Sequence, residues 1–92
     1  MHYIYILRCS DNTLYIGRTT DVPLRVAAHN AGRGATYTYK RRPVRLVYTE
    51  PHPNEKTAAR RERQLKRWSH AKKQALVDGD VMNLRHHSRS KE

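Results

Sequence analysis

"YIYILRCSDNTLYIGRT", residues 3–19, sets two apolar, tyrosine-bearing runs on either side of a short polar stretch. Residues 3–9 and 13–18 are rich enough in aromatic and β-branched side chains to predict two strands. "SDN" between them is turn chemistry, so the pair reads as a β-hairpin. A two- or four-residue connection puts Tyr5 and Tyr15 on opposite faces. A three- or five-residue connection with a bulge puts both on one face, near Gly17. The strand pattern leaves both registers open. The chain has six tyrosines and no phenylalanine. Phenylalanine would pack as well without a hydroxyl to satisfy, so the preference poses a question of chemistry.

Outward from the hairpin, "TTDVPLRVAAHNAG" predicts a helix from about Val22 to Ala31. Thr20 or Asp21 can cap it, Pro23 suits its first turn, and Gly32 suits a left-handed stop. Leu24, Ala27, Ala28 and Ala31 are expected to form its packing side. Arg25 and His29, four apart, share a face. "GRGATYTYKRR", residues 32–42, reads as a basic loop. "PVRLVYTE" predicts a third strand, with Pro43 at its start where the missing N–H does least harm. Two helices follow, capped by Asn54 and Ser69, and Gly79 ends the second. These elements define an α+β domain with a small antiparallel or mixed sheet. Residues 1–80 are expected to form it. Residues 81–92 read as a basic, flexible C-terminal tail.

Ninety-two residues support one modest core. A single cysteine, Cys9, cannot form an intramolecular disulfide, which points to a reducing compartment. No segment approaches the roughly 20 apolar residues of a membrane span, and the N-terminus lacks the basic region and cleavage site of a secretory signal. A cytoplasmic protein is expected. The formal charge of +11 implies a polyanionic partner, because each phosphate neutralised by Lys or Arg releases condensed counterions. A membrane surface fits less well, since the basic segments lack the aromatic and leucine face of an interfacial helix.

Glu62 is the oddity among the charges. Ala58, Leu65 and Trp68 form an inward helical stripe, and Glu62 falls at its edge. It is the only acid between Glu55 and Asp78, in a run dense with Lys and Arg. One reading is an ordinary i,i+4 ion pair with Lys66, worth a few tenths of a kcal/mol. The other is a ligand for a single divalent metal that also meets a phosphate oxygen. The acids are scattered, so a two-metal site is not expected. Arg25 and His29 can offer a fixed guanidinium and a titratable imidazole, or be an exposed Arg and a His satisfied near a helix end. The strand tyrosines can equally be half-buried packing residues. The six histidines show no zinc spacing: His86 and His87 are adjacent, and His52 and His70 are isolated.

"YIY" at 3–5 and "YIG" at 15–17 resemble the paired signature of the GIY-YIG nuclease domain, with Tyr3 where the first motif names Gly. Arg25 eight residues after Gly17, His29 with Asn30 at the end of that helix, and Glu62 after "TAARR" fall in the family's order. "GRGATYTYKRRPVRLVY" resembles the middle of its small stand-alone bacterial members, the YhbQ-like group. The resemblance covers about residues 2–78. It implies a three-stranded antiparallel sheet flanked by helices, and it places Tyr5 and Tyr15 on one shared face.

It further implies an endonuclease that hydrolyses phosphodiester bonds of DNA, with RNA not excluded, using one Mg²⁺ or Mn²⁺. Tyr5 or Tyr15 would orient or deprotonate the attacking water. Arg25 would hold the scissile phosphate, His29 would assist proton transfer, and Glu62 would bind the metal. Close cations such as Arg18, Arg25 or the metal are expected to favour the phenolate. Arg18 stands where some members have Lys, and it cannot accept a proton. Arg18, Arg33, Lys40, Arg41, Arg42, Lys66 and Arg67 are the expected nucleic-acid contacts. The alternative is a non-catalytic nucleic-acid-binding module of the same fold. A monomer or weak homodimer is expected, with a partner protein as a source of specificity.

Overall fold

The structure is a computed structural model that describes residues 1–80; the tail expected over 81–92 lies outside the described residues. Strand β1 (His2–Arg8) pairs antiparallel with β2 (Leu14–Thr19), and residues 9–13 make the connection. That odd-numbered connection settles the register. Tyr5 faces Gly17 and Leu7 faces Tyr15, so the two tyrosines share a face. Asn12 adopts a left-handed conformation in the turn, which Asn tolerates better than most residues. Asp11 holds the turn by accepting from the Thr13 N–H and hydroxyl.

Helix α1 (Val22–Asn30) follows, capped by Asp21, whose carboxylate accepts from the Leu24 N–H. The basic segment after it contains a single short turn of helix, α2 (Thr36–Tyr39), and a cis Arg42–Pro43 bond. Strand β3 (Arg45–His52) adds antiparallel to the other side of β1, giving the order β2-β1-β3. A bulge at Val47 interrupts its pairing, because Ile6 faces Tyr48 while Leu7 faces Leu46. Helices α3 (Glu55–Lys66) and α4 (His70–Asp78) carry the expected caps. Asn54 accepts from the Thr57 N–H, Ser69 accepts from the Lys72 N–H, and Gly79 ends α4 in the left-handed region.

The sheet's two faces have different chemistry. Ile4, Ile6, Leu14 and Ile16 pack with Leu65 of α3, and with Trp68, Leu76 and Val77 around it. Tyr5, Leu7, Cys9, Val22 and Val44 form the other cluster, with Tyr15 and Val26 against it. The packing side expected for α1 is corrected here. Leu24 is exposed, and Val22 and His29 are the buried residues. A histidine can replace leucine inside because both of its ring nitrogens find partners, and a buried polar group costs little once hydrogen-bonded.

Candidate active site

Tyr5 is 1% exposed, and its ring runs across the sheet over Gly17 of β2. A Cβ on Gly17 would stand 2.5 Å from the Tyr5 hydroxyl oxygen. The glycine of "YIG" is therefore required by close approach and not by its backbone angles. On the same face, Tyr15 and His29 close a three-ring cluster. Ring centroids lie 6.4 Å apart for Tyr5–Tyr15, 5.7 Å for Tyr5–His29 and 5.1 Å for Tyr15–His29. The His29 ring packs against Gly34, where a Cβ would overlap it.

A buried hydrogen-bond chain links this cluster. The Thr38 hydroxyl donates to the Ala35 carbonyl at 3.1 Å, so its oxygen is left to accept from His29 Nδ1–H at 2.7 Å. In that arrangement His29 Nε2 carries no proton and accepts from the Tyr5 hydroxyl at 2.8 Å. Burial, then the Arg25 charge, lowers the His29 pKa, which favours the neutral ring.

The phenol does not behave as sequence reasoning expects. Burial pushes Tyr5 up to about 12, against the pull of Arg25 and with Tyr15 and the Glu62 carboxylate adding to the rise. Desolvation outweighs the cations, and Tyr5 is a neutral phenol at neutral pH. Arg18 is not among the charges that set it. Arg25 is exposed on α1 and acts on the Tyr5 hydroxyl.

Glu62 sits on α3 at the other flank of β2. Its Oε1 accepts from Arg18 Nε at 3.0 Å, and its Oε2 is 3.1 Å from Lys66 Nζ. Arg18 also reaches Glu55 at 3.1 Å, so it clasps α3 to β2 through two carboxylates. The i,i+4 pair expected with Lys66 is present. Among the described residues, no three His, Cys, Asp or Glu side chains come together as a metal cage. A hard ion such as Mg²⁺ keeps several waters and needs as little as one carboxylate beside substrate phosphate. Glu62 supplies such a carboxylate, with its two oxygens held by Arg18 and Lys66, and no closed protein site accompanies it among the described residues.

The expected nucleic-acid contacts divide. Arg41 lies over the Tyr37 ring at 3.8 Å, pairs with Asp11 at 3.0 Å and donates to the Tyr37 carbonyl. Arg42 lies over the Tyr39 ring and donates to the Tyr39 carbonyl. Both hold the loop together as well as carrying charge. Arg33 and Lys40 are exposed on that loop; Lys66 and Arg67 are exposed on and just after α3. A groove along the outer edge of β2, lined by Tyr15, Tyr37, Lys66 and Lys73, joins the two flanks.

Three participants were not anticipated from sequence. Thr38 and Gly34 sit in the segment read as loop, where their only signal was that Gly and Thr accompany turns. His52 is not isolated: Glu50 accepts from it at 2.9 Å and from Arg61 at 2.9 Å, and Tyr48 donates to the same carboxylate. Those four residues pin α3 to β3 on the side away from Glu62.

Residues 1–75 match the family model described as the GIY-YIG catalytic domain. The chain belongs to the GIY-YIG family. A GIY-YIG domain carries a nuclease fold and implies a nucleic-acid substrate, and enzymes of this family are generally divalent-metal dependent. The chain is 49% identical over 77 residues to a UPF0213 protein of Staphylococcus haemolyticus, covering 84% of this chain and 94% of that one. It is 53% identical over 76 residues to one of Natronomonas pharaonis, covering 83% and 89%. Its fold matches the solution NMR structure of a UPF0213 protein from Bacillus halodurans with a TM-score of 0.57 and 46% identity, covering 86% and 84%. The recognition and fold expected from the two motifs therefore hold. Among the described residues, no helix of this GIY-YIG chain is long and apolar enough to cross a membrane.

Proposed function

We propose that the chain is a metal-dependent endonuclease that hydrolyses phosphodiester bonds of DNA, with RNA as the second substrate to test. The observation that carries this reading is the buried chain Tyr5–His29–Thr38, whose acceptor end is a neutral imidazole. A buried phenol needs some partner, and here the partner is a titratable imidazole 2.8 Å away rather than a backbone carbonyl. Tyr5 passes its proton to His29 Nε2 while its oxygen takes one from the attacking water. The water oxygen bonds to phosphorus, the bond to the leaving oxygen breaks, and that oxygen is protonated from solvent. A phenol with a pKa near 12 is suited to this relay, because it never has to rest as phenolate.

In this reading Tyr15, less buried than Tyr5, orients the water. Arg25 neutralises the non-bridging phosphate oxygens, where charge is greatest in the transition state. Glu62 would hold one Mg²⁺ or Mn²⁺, which when bound adds to that neutralisation. Arg18 positions Glu62 and is a less direct contact than its sequence position implied. The protein works in the cytoplasm as a monomer or weak homodimer, its specificity set by substrate shape or by a partner protein.

One observation favours the second reading, a non-catalytic nucleic-acid-binding module. Both Glu62 oxygens are already held by cations. Cleavage of plasmid and single-stranded DNA across Mg²⁺ and Mn²⁺ concentrations separates the two. A protein that binds these substrates and never cuts them in either metal is the module.

A further inference from the structure

Helix α3 sorts its charges by direction. Its acids point toward the sheet's flank, where Glu62 and Glu55 are bound by Arg18. Ala58 and Leu65 are buried. On the opposite side, Lys56, Arg60, Arg63 and Arg67 follow one another at intervals of four, three and four residues, and all are exposed. That spacing makes a single straight ridge about 16 Å long. Each neighbouring pair along it is a like-charge pair of the kind that destabilises a helix. Lys56 also lies in the first turn, where the helix dipole disfavours a cation. Among the described residues, no carboxylate pairs with Lys56, Arg60 or Arg63. The ridge borders a groove lined by Arg60, Arg63, Gln64, Arg67 and Trp68.

We infer that the outer face of α3 is a track for the phosphate backbone of a nucleic acid, with Lys56, Arg60 and Arg63 as contacts that the two sequence motifs do not reveal. The proposal rests on the nucleic-acid reading of the domain, and not on its chemistry. Left in solvent, Lys56, Arg60 and Arg63 keep that repulsion with no carboxylate among the described residues to offset it. A phosphate run offsets it, since a duplex carries one negative charge per about 1.7 Å of its axis. Lys66 lies on α3 between this ridge and Glu62, so one strand can be gripped on the track and reach the candidate site.

The test measures binding alone. Fluorescence anisotropy of a labelled DNA duplex, in EDTA so that no cleavage can occur, gives affinity against salt for the full chain. Arg60→Gln/Arg63→Gln is expected to lower the slope of log affinity against log salt by about 2, at roughly 0.9 per lost phosphate contact. Affinity near 0.1 M salt should fall at least tenfold. Lys56→Gln alone should lower the slope by about 1. Gln keeps the helix, and circular dichroism melts check it. The control is Arg8→Gln/Arg45→Gln, a facing pair on β1 and β3 that removes the same charge elsewhere. An unchanged slope in both ridge variants, or an equal fall in the control, overturns the track. Wild-type protein that binds steeply with salt yet never cuts would sink the endonuclease and leave the track standing.

Discussion

The two faces of one three-stranded sheet are built for different ends. The face under α3 and α4 is aliphatic: Ile4, Ile6, Leu14, Ile16 and Leu65 bury their side chains and ask for nothing but close packing. The face under α1 puts Tyr5, Tyr15 and His29 where aliphatic residues would pack, and must then satisfy every polar atom it buries. It does so without an orphan: among the described residues, no buried side-chain N or O lacks a partner. Alternation along β1 assigns the two roles, since Ile4 and Ile6 go one way while Tyr5 and Leu7 go the other. The lesson is that aliphatic packing and a hydrogen-bonded polar cluster are separated here by parity along a single strand.

Substitutions should respect that division, and the largest test it on the polar face. Glu62→Gln is expected to reduce metal-dependent cleavage to background while leaving DNA affinity equal or slightly tighter, because one negative charge leaves a basic surface. Full activity in a folded mutant at matched Mg²⁺ would remove Glu62 from the chemistry. Tyr5→Phe should slow single-turnover cleavage by roughly 10²- to 10⁴-fold, the loss typical of a general acid–base group. It should also cost about 1–3 kcal/mol in a denaturant melt, because His29 Nε2 loses its buried donor. Gly17→Ala attacks the same hydroxyl by sterics and should reproduce the rate loss.

Leu65→Ala tests the aliphatic face and should invert the pattern. A fully buried leucine cut to alanine costs about 2–5 kcal/mol. The cleavage rate of the remaining folded protein should stay near wild type at a temperature below its melt. A rate loss as large as that of Tyr5→Phe would show that the faces are coupled, and the division would fail.

A smaller effect is read from pH. Protonated His29 cannot accept from Tyr5, and its pKa lies below the ordinary 6.5 because it is buried beside Arg25. The rate should therefore be level through neutral pH and fall only on the acid side, with a midpoint under 6.5. A profile that instead climbs toward pH 10 would mean that phenolate is the base. The smallest effect is expected from Tyr39→Phe, whose exposed ring lies beneath Arg42 and outside the cluster. It should change neither rate nor melting by a measurable amount.

What the sequence determined by itself was local. The hairpin, the caps at Asp21, Asn54 and Ser69, and the stop at Gly79 are each set by residues a few positions apart, so they are legible in order along the chain. The motif residues Tyr5, Tyr15, Arg25, His29 and Glu62 could be named from their spacing and from resemblance. Their surroundings could not. Thr38 meets His29 from nine residues away, Arg18 meets Glu62 from 44, and Glu50 meets Arg61 from 11. The weight of burial on Tyr5 was invisible for the same reason. Charges such as Arg18 and Arg25 are visible in a sequence, whereas desolvation is a property of everything packed around a group. Only the tertiary structure decides how much water a phenol keeps, and that is what pushes Tyr5 up to about 12 and brings His29 Nε2 within 2.8 Å of its hydroxyl.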